Sequence, residues 1–173
     1  MNRKIGIIVI CIAVAGAACT HDQHHGYMLA ESSKQVRSLT ETEVTNYLEG
    51  RGMGLAKPAE LNSYPGPMHV LELADELELT EEQRRETQRI FDTMRAEATR
   101  LGKLVVEKEG ELNSAFAEGS VNRESLTNLV NEVSRLQGEL RALHLSAHIE
   151  MKQFLSAKQV ATYDKLRGYR KAD

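Results

Sequence analysis

Two long stretches of this chain repeat apolar residues at helical spacing with only a short break between them, which forces them to fold back on one another. From Thr80 to Glu118, at about 100° per residue, Ile90, Met94, Ala98, Leu101, Val105, Leu112 and Phe116 fall on one stripe. After the break, Leu126, Leu129, Val133, Leu136, Leu140, Ala147, Met151 and Phe154 hold a heptad-like seam. The break itself is "EGSVN", with Gly119 as the C-terminal cap of one helix and Asn122 as the N-cap of the next. The fold class is therefore all-α, a long antiparallel hairpin. At about 1.5 Å per residue each helix is roughly 50 to 60 Å long, and one stripe can cover only the other. The remaining apolar surface calls for short flanking helices across the hairpin, or for two hairpins pairing as a homodimer. Gly102, Gly110 and Gly138 each weaken their helix by about 1 kcal/mol.

The core has to be aliphatic, because aromatic residues are 5% of the chain and tryptophan is absent. Residues 1–18 read as an export signal: Arg3 and Lys4 precede the apolar run "IGIIVICIAVAGAA", which is shorter than a spanning helix needs. Small residues then lead to Cys19, in a pattern that resembles a bacterial lipobox with Cys19 as the lipidated residue, although Gly16 stands where that motif carries an aliphatic residue. Ordinary signal peptidase, cutting at Ala15, Ala17 or Ala18, is the other route. Cys11 is lost with the signal, so no internal disulfide is possible after processing. The expected location is the periplasmic side of the bacterial envelope, with the membrane engaged through the lipid alone. Without Arg3 and Lys4 the chain has twenty basic and twenty-five acidic residues, a balance that argues against nucleic acid as a partner.

Residues 19–37 lack a hydrophobic period and read as a polar tether, whose "HDQHH" tract is either solvated linker or a loose catcher of metal ions. Residues 38–63 hold a short helix, "SLTETEVTNYLEG", with Thr40 and Glu43 as a capping box and Gly50 as the stop, followed by a Gly-rich ordered loop. That loop is not a phosphate-binding loop, since no strand precedes it and no Lys-Ser/Thr pair follows. Residues 64–170 form the hairpin domain, opened by Pro65 and Pro67 before a short helix over residues 68–77.

Two segments of that domain share the form Leu-Thr/Ser-x-x-Gln: "LTEEQ" at residues 79–83 and "LSAKQ" at 155–159. Thr80 and Ser156 can cap the helices that follow, with Gln83 and Gln159 reaching back from the third helical position. Two such boxes flanking a hairpin after an export signal resemble the LTxxQ proteins of the Spy/CpxP superfamily, which includes periplasmic heavy-metal resistance and sensing proteins of the ZraP and CnrX kind. The resemblance runs from "YPGPMHVLELADELELTEEQ" to "LSAKQVATYDKLRGY", and Ser156 departs mildly from the Thr of the motif. It implies a hairpin, commonly dimeric, without catalytic activity. It leaves open two occupations, binding transition metals and holding unfolded envelope proteins.

The stretch "LHLSAHIEM" bears on that choice. With Leu140 as zero, His144 falls at about 40°, His148 at about 80° and Met151 at about 20°, so two imidazoles four residues apart sit on the apolar stripe. Residues at i and i+4 can reach a common point, the geometry an imidazole pair needs to grip Zn, Cu, Ni or Co ions. His69 and Glu72 share a face of the short helix before "LTEEQ", which must fold back near the open end of the hairpin, where residues 144–151 lie opposite about 91–95. The expected metal set is His69, Glu72, His144 and His148, with Met151 as a soft extra ligand. The ordinary alternative is seam histidines bonded to a carboxylate or backbone group, with Met151 as core filler. The rival reading is a chaperone or envelope-stress adaptor, with basic residues between Arg84 and Lys108 holding unfolded clients, or a membrane signalling partner engaged by the sensor. An enzyme is disfavoured, because no Ser/His/Asp or Cys/His arrangement is evident.

Overall fold

The computed structural model describes residues 36–169; the export signal, Cys19 and the "HDQHH" tract lie outside the described residues. Six helices follow in order: α1 (Glu41–Leu48), α2 (Lys57–Glu60), α3 (Pro67–Glu72), α4 (Glu81–Ala117), α5 (Arg123–Gln153) and α6 (Ala157–Leu166). No strand occurs among the described residues, and no helix there is long and apolar enough to cross a membrane. α4 and α5 pack along each other as the hairpin, and α1 and α3 lie across α4. The all-α hairpin expected from the two stripes is the fold.

Side-chain caps set where the helices start. Thr40, Thr80, Asn122 and Ser156 each accept a hydrogen bond from the third helical residue, whose own side chain returns to the cap backbone. The boxes at Thr80 and Ser156 also join each other. Gln83 Nε2 donates to Gln159 Oε1 at 3.0 Å and Gln159 Nε2 donates back to Gln83 Oε1 at 2.9 Å. The second N–H of each amide goes to backbone, Gln83 to the Phe154 carbonyl at 2.7 Å and Gln159 to the Leu77 carbonyl at 3.2 Å. The open end of the hairpin is thus clasped by two side chains with every amide N–H used.

The structure departs from the sequence reading at the short helix before this clasp. Expected over residues 68–77, α3 ends at Glu72, and a turn carries the chain to Thr80 with Glu78 at a φ of 51°. Leu77 and Leu79 are both buried, whereas positions two apart on a helix face nearly opposite ways, so a continued helix would have exposed one of them. The Gly-rich loop contains one further helical turn, α2, with Pro58 in its first turn.

The seam is buried along only part of its length. Ile90, Met94, Ala98, Leu101 and Val105 pack against Leu136, Leu140, Ala147 and Met151. Toward the connecting turn Leu112, Leu126 and Leu129 are half-buried and Phe116 is 58% exposed, because the short helices cover only the other half. Two glycines allow that cover. A Cβ on Gly102 would overlap the Tyr47 carbonyl of α1, and one on Gly50 would press on the α4 backbone at Arg95 and Thr99. Tyr47 then packs against both the main core and a small cluster of Val36, Val44 and Val106.

Helix propensity and packing therefore oppose each other at Gly102. Gly102→Ala should lower stability by about 1–3 kcal/mol, although alanine in a helix is ordinarily better than glycine by about 1 kcal/mol. Gly138→Ala, where nothing lies within 4 Å of the added Cβ, should raise it by up to about 1 kcal/mol. Gln159→Leu leaves the Gln83 amide half-satisfied and should cost about 1–3 kcal/mol. Urea unfolding of the three variants beside the parent checks each sign.

Candidate metal centre

α3 folds back onto the hairpin near its clasped end, and the loop between α1 and α3 arches over the space that remains. Tyr163 of α6 fixes this arrangement. Its ring is fully buried and its hydroxyl accepts from the Gly66 backbone N–H at 3.3 Å; burial pushes the phenol up to about 12. The result is a cavity of about 470 Å³ between the loop, α3, α4 and α5. His69, His144 and His148, all three histidines among the described residues, line it. So do Met53, Met68 and Met94, three of the four methionines there, and Phe91 and Arg95 of α4 lie opposite.

Each imidazole is held differently. His148 Nδ1–H donates to the Tyr64 carbonyl at 2.8 Å, which leaves Nε2 with the lone pair. That ring lies so close to Gly66 that a Cβ there would meet Cε1 at 2.8 Å and Nε2 at 3.0 Å. His144 is buried, and its Nε2 has no hydrogen-bond partner. His69 Nε2 faces Arg167 Nη2 at 3.1 Å; a guanidinium only donates, so the His69 proton sits on Nδ1, which donates to Glu72 at 2.7 Å. Glu60 completes the wall, 3.7 Å from His69 Nε2 and accepting from the Tyr169 hydroxyl at 2.9 Å. Arg167 Nη2 also reaches that hydroxyl, so the His69 and Glu60 corner already has a cation beside it.

The residues expected as ligands divide accordingly. His69, His144 and His148 share the cavity, while Glu72 orients His69 without lining it, and Met151 is wholly buried in the main core. Among the described residues, no three His, Cys, Asp or Glu side chains stand as a group that could hold a metal ion. The residues the sequence reading missed are Glu60, Met53, Met68 and Met94. Met94 lies on the apolar stripe, as its spacing implies; Met53 and Met68 are in segments without periodicity, and Glu60 carries no local signal.

Burial lowers the pKa of both seam histidines, helped at His144 by the neighbouring His148 and opposed at His148 by the Tyr64 carbonyl and Glu60. A histidine whose folded pKa is depressed costs nothing above its unfolded value of about 6.5, and costs stability as pH falls below that, where the unfolded chain takes up the proton first. His144→Leu should therefore flatten the loss of stability between about pH 6.5 and about pH 5, by at most about 1.4 kcal/mol per pH unit. Urea midpoints across that range, for parent and variant, measure the difference.

A family model described as heavy-metal resistance matches residues 53–161, which takes in the Gly-rich loop from Met53 onward, the hairpin and the start of α6. Comparison with curated proteins and with solved structures finds no match. The matched family is one of resistance and sensor proteins without catalytic activity, within the Spy/CpxP-like periplasmic helical group. With its capped hairpin and paired Leu-Thr/Ser-x-x-Gln boxes, this chain belongs to the heavy-metal resistance family.

Proposed function

We propose that this protein binds a transition-metal ion in the cavity between the loop, α3 and the hairpin, as part of heavy-metal sensing or resistance, and that it works outside the cytoplasmic membrane on a lipid carried by Cys19. One observation carries the reading: the three described histidines, from two separate segments, line the same cavity, and one of them has a buried nitrogen without a partner. Buried imidazole nitrogens usually find a donor or acceptor. The donor set fits an ion in chemistry. His148 has its proton directed to a carbonyl and His69 has its proton directed to a carboxylate, the outer-shell pattern that orients imidazole ligands. In both rings Nε2 is left to coordinate, and at His69 an incoming ion competes with Arg167.

Calorimetric titration with Zn(II), Ni(II), Co(II) and Cu(II) tests this, in protein whose tether carries His21→Asn, His24→Asn and His25→Asn so that only the cavity is read. One ion per chain is expected, with binding lost in His144→Ala, His148→Ala double variants. Unchanged affinity and stoichiometry in that variant would remove the reading.

A second reading, a holder of unfolded chains or a homodimer, is favoured by the bare apolar stripe at the turn end, where Phe116 and Val130 are 58% and 43% exposed. The basic face offers it less. Arg84, Arg89, Arg100 and Lys108 are paired with carboxylates, and exposed pairs of this kind contribute little beyond solubility. Suppression of an aggregating client's light scattering, lost on Phe116→Ser, is the outcome this reading requires.

A further inference from the structure

We propose that the cavity is a thioether–imidazole site for a soft monovalent ion, copper(I) or silver(I), ligated by Met53, Met68 and Met94 together with His144. The proposal rests on the metal-binding reading above and narrows it to one class of ion.

Ligand type is the first argument. Three of four described methionines line one cavity, from three separate segments: the loop, α3 and α4. Met94 is 8% exposed and belongs to the core, but Met53 and Met68 are 37% and 45% exposed, so burial does not account for a large apolar side chain at either position. Thioethers select copper(I) among the common biological metals, and the unbranched methionine side chain has three rotatable bonds with which to close on an ion.

Backbone conformation at Met53 points the same way. It has a φ of 45°, between Gly52 and Gly54, in the left-handed region that glycine adopts freely and that is costly for residues with a Cβ. Turn geometry alone is better served by glycine or asparagine there.

Charge is the third argument. Arg51, Lys57 and Arg95 line the cavity against Glu49 and Glu60, one more positive than negative. Neither carboxylate is idle, since Glu49 is 2.6 Å from Arg51 and Glu60 accepts from Tyr169. A divalent ion meets twice the repulsion from that excess that a monovalent ion does. Neutral sulfur and nitrogen donors with no spare carboxylate suit the lower charge. The lack, among the described residues, of any three His, Cys, Asp or Glu poised around a point agrees, because the set proposed here needs only one imidazole.

The test uses exported full-length protein with the tether histidines changed as above and with Cys11→Ser and Cys19→Ser, so that no thiol competes. Copper(I) is titrated without oxygen against a chromophoric copper(I) chelator, silver(I) and Zn(II) by calorimetry, and the copper-loaded protein is examined by X-ray absorption. The parent should bind one copper(I) or silver(I) with sulfur in the metal's shell. Met53→Leu, Met68→Leu should weaken that binding by more than about 10-fold, the lower end of what even outer-shell partners cost. The double variant should keep the parent's urea midpoint, since both side chains are substantially exposed and leucine conserves their volume. Unchanged copper(I) affinity in the double variant, or a shell of nitrogen and oxygen alone, overturns the proposal. If Zn(II) or Ni(II) then binds through His144 and His148, the broader reading stands without it; if no ion binds the parent, both fall.

Discussion

The amide pair of Gln83 and Gln159 is the contact on which the rest of the molecule depends. A hairpin of two long helices is tied at its turn by covalent connection and is free to splay at the other end. Here the splaying end is closed by two reciprocal amide bonds, and the remaining N–H groups hold the Phe154 carbonyl after α5 and the Leu77 carbonyl before α4. Four chain segments meet there with every amide N–H used. The half-buried position of both side chains makes a missing partner costly, which is what gives a small polar contact its leverage.

The cavity follows from that closure. With the clasped end held, α3 has to lie back across α4, and Tyr163 of α6 catches the Gly66 N–H just before α3 begins. The loop between α1 and α3 is left to bridge the remaining gap, anchored at one side by α1 on Gly102 and at the other by the Tyr64 carbonyl on His148. Histidines in a seam are a poor way to fill a core, since burial disfavours their charged form and leaves Nε2 of His144 without a partner. The main core closes around this, through Met151, Ala147 and Leu140 on the same helix. The seam thus supplies rigidity on one side of the two rings while the loop leaves the other side open.

Much of this architecture was legible in the amino-acid order. Periodicity placed both long helices within a residue or two of where they lie, because a 3.6-residue repeat over thirty residues has no competing explanation. The capping boxes at Thr40, Thr80 and Ser156 and the N-cap at Asn122 were local enough to read from adjacent letters, and the heavy-metal resistance family confirms the resemblance that the paired boxes carried. The length of α3 was not legible. Residues 68–77 have good helical composition, and what stops the helix at Glu72 is the need to bury Leu77 and Leu79 together, a demand set by the rest of the fold.

The division between the two levels runs along sequence distance. Composition, stripe and cap determined on their own that this chain is an all-α hairpin with two histidines on its inner face, since each of those signals is complete within a few turns of helix. Only the tertiary structure decided which side chains stand opposite them. Glu60 and Met53 come to the cavity from a loop with no period and Met68 from α3, Arg167 comes to His69 from beyond α6, and Met151 on the same stripe is turned into the core. Contacts between residues eighty or more positions apart depend on how the helices and loop pack in three dimensions, and no short pattern in the chain encodes that packing.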